Sequence, residues 1–233
     1  MTDFSFDRRA FFAGFREVIA LAVPGAPFGF VLGVVIADSG LDQLAAWFSS
    51  PIVLAGASQL AAIELLAESA GSAVVLVTVA FINSRHVMYS AALRPRFRGF
   101  PRWFRAVGPY VLLDQSFALA VSQPDDMSDG ERMWHFLGSG AFLWLMWMCS
   151  TGAGVLVGDI TEPEWQLGFA VPILFGGLML LSVSNRAGVV AAAIGATVAV
   201  AGAGLPQGSG VLLAIVLGVA AGGFIESRTE VVR

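Results

Sequence analysis

The chain of 233 residues has few charged residues, one cysteine, two histidines and no lysine. Charged residues make up 13% of the sequence and hydrophobic residues 57%, whereas soluble domains average about 25% charged residues. This shortage of charge, together with several long apolar runs, excludes an ordinary soluble domain and predicts a membrane protein. The single cysteine, Cys149, excludes an intramolecular disulfide framework and a metal site built from several cysteines.

Motifs for hydrolysis, nucleotide binding and metal catalysis are also missing. The sequence contains no H-E-x-x-H zinc motif, no G-x-S-x-G nucleophile motif and no G-x-x-x-x-G-K-[ST] phosphate loop. We expect no catalytic residue, no metal site, no cofactor and no nucleic-acid partner. The N-terminal stretch places two acids before its arginines and lacks an A-x-A-like cleavage site, so we expect the first apolar run to be a retained span.

Seven or eight apolar segments follow one another along the chain, with short connections between them. They cover residues 15–37, 51–67, 71–93, 107–121, 133–157, 167–183, 187–203 and 208–224. A helix of about 20 residues crosses a bilayer, and several of these segments are near or below that length. The sequence therefore predicts an all-α polytopic membrane protein with about seven transmembrane helices, in which residues 1–233 form a single transmembrane domain.

Arginine placement predicts the orientation of the chain. One cluster precedes the first apolar segment and another follows the third: Arg8, Arg9 and Arg16, and then Arg94, Arg96, Arg98, Arg102 and Arg105. The positive-inside rule predicts that both clusters are cytoplasmic. We expect residues 1–14 to form a cytoplasmic tail and residues 94–106 a cytoplasmic loop. Because three consecutive crossings would put the clusters on opposite sides, we expect the second segment, near residues 51–69, to be broken or re-entrant.

The first apolar segment contains "LAVPGAPFGFVLGVV", with two prolines among regularly spaced glycines. Pro24 and Pro27 each remove a backbone donor from the helix. Gly25, Gly29 and Gly33 recur every four residues and form one smooth face. The pattern fits either a kinked packing helix or a discontinuous helix whose freed backbone groups face a substrate. We predict a broken first helix, with Pro24, Gly25 and Pro27 as candidate substrate-binding positions.

The stretch "VAFINSRHVMYSAALRPRFR" carries an amide, a guanidinium and an imidazole at the depth of the membrane, in Asn83, Arg85 and His86. Ionisable residues at that depth are functional candidates. Arg85 could bind a substrate carboxylate bidentately, Asn83 could meet a substrate ammonium, and His86 could titrate near neutral pH. The alternative for Arg85 is that its side chain snorkels toward the cytoplasmic surface.

Three further polar residues lie in apolar segments. Gln59 is a candidate ligand for a substrate ammonium, whereas Glu64 and Asp114, like His86, are candidate carriers of a coupling proton. A carboxylate in a membrane costs several kcal/mol unless it is paired, protonated or hydrated. Each acid therefore has a simpler alternative role, which is an ion pair with Arg85.

Five pieces of the sequence occur together in a familiar order: "PGAPFGFVLG", "SSPIVLAGASQLAAIELL", "FINSRHVMYSAALRP", "LLDQSFAL" and "FAVPILFGGLML". With them the chain resembles the AzlC family, the large subunits of branched-chain amino acid exporters, over residues 14–181. The resemblance implies a multi-pass protein of the bacterial cytoplasmic (inner) membrane. It implies export of valine, leucine, isoleucine or methionine, driven by an ion gradient, with a small AzlD-type membrane partner. The family often has Asp-Glu where this chain has Asp114 and Gln115.

Two other classes of function stay open beside a secondary transporter. The first is an intramembrane enzyme that uses the polar residues as general acids and bases, although we expect the chain not to be an enzyme. The second is a passive channel or a scaffold subunit. The seven-residue spacing of Gly188, Gly195 and Gly202 fits helix association in an oligomer and fits internal packing equally well.

Overall fold

The computed structural model describes residues 4–158, 183, 185–205 and 209–230, with the side chains of the last range given as far as residue 227. Within these ranges every regular element is helical, which confirms the predicted all-α class. The chain divides into two compact units, each built from two pieces of sequence. The first unit is Met1–Leu60 with Phe81–Thr161, and the second is Ala61–Ala80 with Glu162–Arg233.

The first unit begins with a bent run of helices. These are α1 (Arg8–Glu17), α2 (Ile19–Ala22) and α3 (Gly25–Asp38). Asp7 caps α1, because its carboxylate accepts hydrogen bonds from the backbone N–H groups of Arg9 and Ala10. The run Arg8–Ala22 meets α3 at an angle of 70°. The bend falls at Pro24, so the predicted break in the first helix is confirmed.

The second apolar segment consists of two helices, α4 (Gln43–Val53) and α5 (Gly56–Ala67). The expected start at residue 51 is wrong, because Pro51 lies inside α4 near its C-terminal end. Leu54, between the helices, has a left-handed backbone with φ 42°, and the segment is broken there as predicted. The 12 residues of α5 reach about 18 Å, which is too short for a hydrocarbon core of about 30 Å. A re-entrant path for this segment stays a prediction.

Two consecutive helices, α6 (Ser72–Asn83) and α7 (Arg85–Leu93), follow. Together they form a candidate membrane span, Ser72–Leu93, which confirms the predicted segment 71–93. Ser84 separates the two helices, and its hydroxyl donates a hydrogen bond of 2.7 Å to a carbonyl one turn earlier. The interruption places Asn83 at the end of one helix and Arg85 at the start of the next.

The next stretch is irregular. It contains α8 (Phe104–Val107), a 3₁₀ turn (Gly108–Val111) and α9 (Asp114–Ser122). The expectation of one apolar span over residues 107–121 is wrong, because Leu113 is extended and α9 has only nine residues. The hydroxyl of Ser116 accepts from the N–H of Leu113 at 2.8 Å and donates to the carbonyl of Val111 at 2.7 Å. These two hydrogen bonds satisfy backbone groups that the break leaves without helical partners.

The arginine-rich stretch over residues 94–106 is folded onto the first unit. Its buried Phe100 and Phe104 join a hydrophobic cluster that includes Phe136. Arg96 donates hydrogen bonds to two backbone carbonyls near the end of α9. This stretch is therefore held by packing and by hydrogen bonds, rather than being a simple solvated loop.

The longest helix of the first unit, α10 (Asp129–Gly158), has 30 residues and packs against α1, α3 and α4. It confirms the predicted segment 133–157 and begins four residues before it. Gly33 and Gly154 lie at the contact between α3 and α10, where a Cβ on Gly33 would overlap the carbonyl oxygen of Thr151. At Gly33, the structure therefore favours the packing interpretation of the glycine stripe.

In the second unit, α11 (Arg186–Ala201) packs against α12 (Ser209–Glu230). A Cβ on Gly202 would lie 2.9 Å from the Cα of Gly210, closer than a side chain tolerates. At Gly202, the structure therefore favours the internal-packing interpretation of the glycine spacing.

Three of the described helical runs are long and apolar enough to cross a membrane, and a fourth crossing results if the bent pair counts as one span. They are Ser72–Leu93, Asp129–Gly158, Ser209–Ser227 and the pair Arg8–Ala22 with Gly25–Asp38. The predicted segment 167–183 lies, apart from residue 183, outside the described residues. The described residues therefore show three or four candidate spans, and the predicted total of about seven is not confirmed.

Candidate functional site

An ion pair between Arg85 and Asp114 forms the centre of the candidate site in the first unit. The distance from Arg85 Nη1 to Asp114 Oδ2 is 3.1 Å, and the two side chains are 33% and 44% exposed. Arg85 is the first residue of α7 and Asp114 is the first residue of α9, so the interruptions before these helices bring the two charges together. The N-terminus of α9 also favours the carboxylate, because the amide dipoles there carry partial positive charge. The ion pair with Arg85, one of the alternatives for Asp114, is confirmed.

Tyr89 completes the coordination of the Asp114 carboxylate. Its hydroxyl donates a hydrogen bond of 2.7 Å to Asp114 Oδ1, the oxygen that Arg85 leaves free. The Tyr89 ring stacks on Phe117, with 4.3 Å between the ring centroids. Tyr89 is not among the site residues predicted from the sequence, although it lies four residues after Arg85 and therefore on the same helical face.

Polar atoms with no hydrogen-bond partner lie beside the ion pair. In the part of the chain that the structure describes, these buried atoms include Asn83 Oδ1, Arg85 Nε and His86 Nε2. An unsatisfied buried polar group costs about 1–3 kcal/mol. Three such atoms lie within four residues. A bound polar ligand that forms hydrogen bonds with them would remove this cost.

The break in the first helix lies near the same place. Pro24 and Pro27 are exposed and Gly25 is half-buried. A Cβ on Gly25 would lie 3.4 Å from Met146 Cε and 3.8 Å from the amide nitrogen of Gln115, the neighbour of Asp114. The structure thus brings Gly25 toward the start of α9. Pro27 lies in the first turn of α3, where a missing N–H removes no helical hydrogen bond.

Gln59 has a different environment from the other predicted substrate ligands. Its side chain is 1% exposed. Its amide nitrogen donates to the hydroxyls of Ser49 at 2.8 Å and Ser50 at 2.7 Å, and its carbonyl oxygen accepts from the indole N–H of Trp147 at 3.1 Å. Because every one of these polar groups is engaged, the geometry favours a structural role that joins α4, α5 and α10. Its role as a substrate ligand stays a prediction.

Glu64 and His86, the two remaining predicted proton carriers, belong to different units. Glu64 is exposed on α5 in the second unit, one turn before Glu68. His86 belongs to the first unit, and its ring lies edge-on to the ring of Tyr89 at 5.9 Å. Arg85 forms its ion pair with Asp114. The proton-carrying roles of Glu64 and His86 stay predictions.

A second polar contact, which the sequence analysis missed, joins α1 to α10. His135 is buried, and its Nε2 lies 3.0 Å from the carboxylate of Glu17, a residue 118 positions away. No spacing in the sequence indicates a pair so far apart. In the described ranges, no group of three or more histidine, cysteine or acidic residues is placed to hold a metal ion.

Comparisons with known proteins identify relatives. The sequence model of the AzlC family, described as AzlC protein, matches residues 20–161. The inner membrane protein YgaZ of Escherichia coli (strain K12) is 28% identical over 198 residues, which are 80% of this chain and 79% of YgaZ. An uncharacterized membrane protein of Archaeoglobus fulgidus is 31% identical over 180 residues, which are 75% of this chain and 76% of that protein. No solved structure matches the chain at a significant level.

Proposed function

The chain belongs to the AzlC family of membrane proteins, and on this premise we propose that it is a secondary transporter. We assign it the export of branched-chain or other hydrophobic amino acids across the bacterial cytoplasmic membrane, driven by an ion gradient. The name of one relative, the inner membrane protein YgaZ, supports the location. The observation that carries the proposal is the Arg85–Asp114 ion pair at two helix starts, beside polar atoms without partners.

The chemistry of the ion pair matches a zwitterion. Opening the pair without a replacement would leave the charges of Arg85 and Asp114 uncompensated. An amino acid brings one carboxylate for Arg85 and one ammonium for Asp114, so both charges stay compensated when the pair opens. A ligand with a single charge would leave either Arg85 or Asp114 unpaired. Asn83 Oδ1, an acceptor without a partner among the described residues, supplies a second contact for the ammonium.

Asp114 also offers a way to couple export to a proton gradient. Its carboxylate can hold either the substrate ammonium or a proton, but not both. A transporter that moves outward with the amino acid and returns with a protonated Asp114 exchanges one amino acid for one proton. Competition between the two cations at one carboxylate is the physical basis of this antiport. Glu64 and His86 are further candidates for the proton.

The family resemblance supports a small AzlD-type membrane protein as the partner. We therefore propose that the active exporter contains both chains, and that neither acts as an enzyme. Efflux from cells preloaded with valine, leucine, isoleucine or methionine tests this function, with the two chains expressed separately and together. We expect gradient-dependent export of unchanged amino acid when both are present. Absence of export for all four amino acids, with both chains detected in the membrane, would refute the proposal.

A further inference from the structure

A large cavity in the first unit is lined by residues of α7 and of the stretch that follows it, including His86 and Ser90, but not by Arg85 or Asp114. Its volume is about 870 Å³, toward the upper end of the range of about 300–1,000 Å³ for ligand pockets. Most of its lining is apolar and aromatic, contributed by Leu93, Phe97, Phe104, Leu112 and Phe136. The cavity therefore offers a ligand much more space than the side chain of an amino acid fills.

Three arginines also line the cavity: Arg94, Arg98 and Arg105. All three are exposed, and none has an ion-pair partner among the described residues. Arg96, in the same stretch, is different because it pairs with Asp125 at 2.8 Å. None of the residues that line the cavity is acidic. The cavity thus combines an apolar interior with uncompensated positive charge.

This combination selects one class of ligand. A zwitterionic amino acid would find guanidinium groups for its carboxylate but no carboxylate for its ammonium. Inorganic phosphate would use the arginines but would leave the apolar part of the cavity unfilled. An anionic amphiphile satisfies both parts, since guanidinium groups bind phosphate bidentately and aromatic side chains accommodate acyl chains.

We propose that the cavity binds an anionic phospholipid of the cytoplasmic leaflet, with its phosphate at Arg94, Arg98 and Arg105 and an acyl chain along the apolar part of the lining. The positive-inside rule places these arginines on the cytoplasmic side, where the leaflet carries anionic headgroups. Arg94 directly follows α7, and Arg85 begins it. This link rests on the proposed function: a lipid held here acts on the helix that carries the arginine assigned to the substrate carboxylate.

Lipid retention by the purified full chain tests the proposal. The protein in detergent is titrated with phosphatidylglycerol or phosphatidylcholine, and the lipid that remains bound is counted by native mass spectrometry. Phosphatidylglycerol is expected to be retained and phosphatidylcholine is not. The triple variant R94Q/R98Q/R105Q is expected to bind phosphatidylglycerol about tenfold or more weakly. The matched variant R8Q/R9Q/R102Q, which loses the same charge outside the cavity lining, is expected to bind like the wild type.

A second variant tests whether lipid binding needs the space in the cavity as well as the surface charge. Ala91 is exposed and lines the cavity, so Ala91→Trp fills part of the space without changing the charge. We expect it to lose phosphatidylglycerol while it elutes as a folded protein on gel filtration. Equal losses in the two arginine variants, or full retention by Ala91→Trp, would overturn the proposal. Displacement of the lipid by millimolar inorganic phosphate would overturn it as well, because the site would then be a phosphate site without an acyl-chain pocket.

Discussion

Arg85 and Asp114 begin two different helices, and their side chains meet at 3.1 Å. The contact depends on the interruption at Ser84 and on the extended backbone at Leu113. If either helix continued without interruption, the charged side chain would lie elsewhere on its surface. The breaks in the two helices therefore assemble the site.

Asp114→Asn removes the charge that the proposed antiport needs. The variant keeps the shape of the side chain but cannot bind a proton or pair fully with Arg85. We expect export to fall by about 10- to 100-fold, which corresponds to the loss of a charged hydrogen bond. Proton influx coupled to export should disappear from proteoliposomes.

Asp125→Asn is the matched control for this experiment. Asp125 also pairs with an arginine, Arg96, but its side chain is 91% exposed. Exposed ion pairs contribute about 0–1 kcal/mol, so export should stay near the wild-type level. If Asp114→Asn transports amino acids and protons as the control does, Asp114 is not the coupling residue.

Tyr89→Phe removes one hydroxyl and keeps the aromatic ring that stacks on Phe117. The lost hydrogen bond to Asp114 should lower the free energy of unfolding by about 1 kcal/mol. Because the carboxylate loses its second ligand, we expect a higher KM for the amino acid with a smaller change in kcat. Efflux kinetics in proteoliposomes measure both parameters. An unchanged KM would contradict a role for Tyr89 in positioning Asp114.

Gln59→Leu distinguishes the structural role from the predicted substrate-binding role. The substitution leaves the Trp147 indole and two serine hydroxyls without their partner. We expect a loss of about 2–3 kcal/mol in the free energy of unfolding, seen as a lower Tm in detergent. A variant with normal Tm and a strongly raised KM would instead support Gln59 as a substrate ligand.

Gly33→Ala tests the close contact between α3 and α10. Its methyl group would overlap the carbonyl oxygen of Thr151, and overpacking of this kind costs about 1–3 kcal/mol. Gly223→Ala is the control, because its Cβ would meet no atom within 4 Å. Thermal unfolding in detergent should show a lower Tm for Gly33→Ala only. Equal Tm values would mean that the two helices separate more easily than the packing implies.

Composition and local pattern predicted the helical class, the segments 71–93 and 133–157, and the break at Pro24. These features follow from hydropathy and from the chemistry of proline. The local pattern also indicated Arg85 and Asp114 as candidate site residues, because charges in apolar segments need partners. The failure at residues 107–121 has a physical reason: hydropathy does not reveal that the hydroxyl of Ser116 satisfies an interrupted backbone.

Contacts between distant parts of the chain were beyond the sequence analysis. Gln59 binds Trp147, 88 positions away, and this contact makes the structural interpretation of Gln59 stronger than the substrate-binding one. His135 and Glu17 are similarly remote in sequence. Such pairs depend on how helices pack, and periodicity within one segment carries no information about them.

Efflux of preloaded leucine through Arg85→Ala tests the central claim most directly, measured in cells that also produce the partner chain. Arg102→Ala, at an exposed arginine outside the site, serves as the control, and both variants are first shown to be in the membrane. The account predicts that Arg102→Ala exports leucine like the wild type and that Arg85→Ala does not. Normal leucine export by Arg85→Ala would contradict the assignment of the Arg85–Asp114 pair as the site where the amino acid binds.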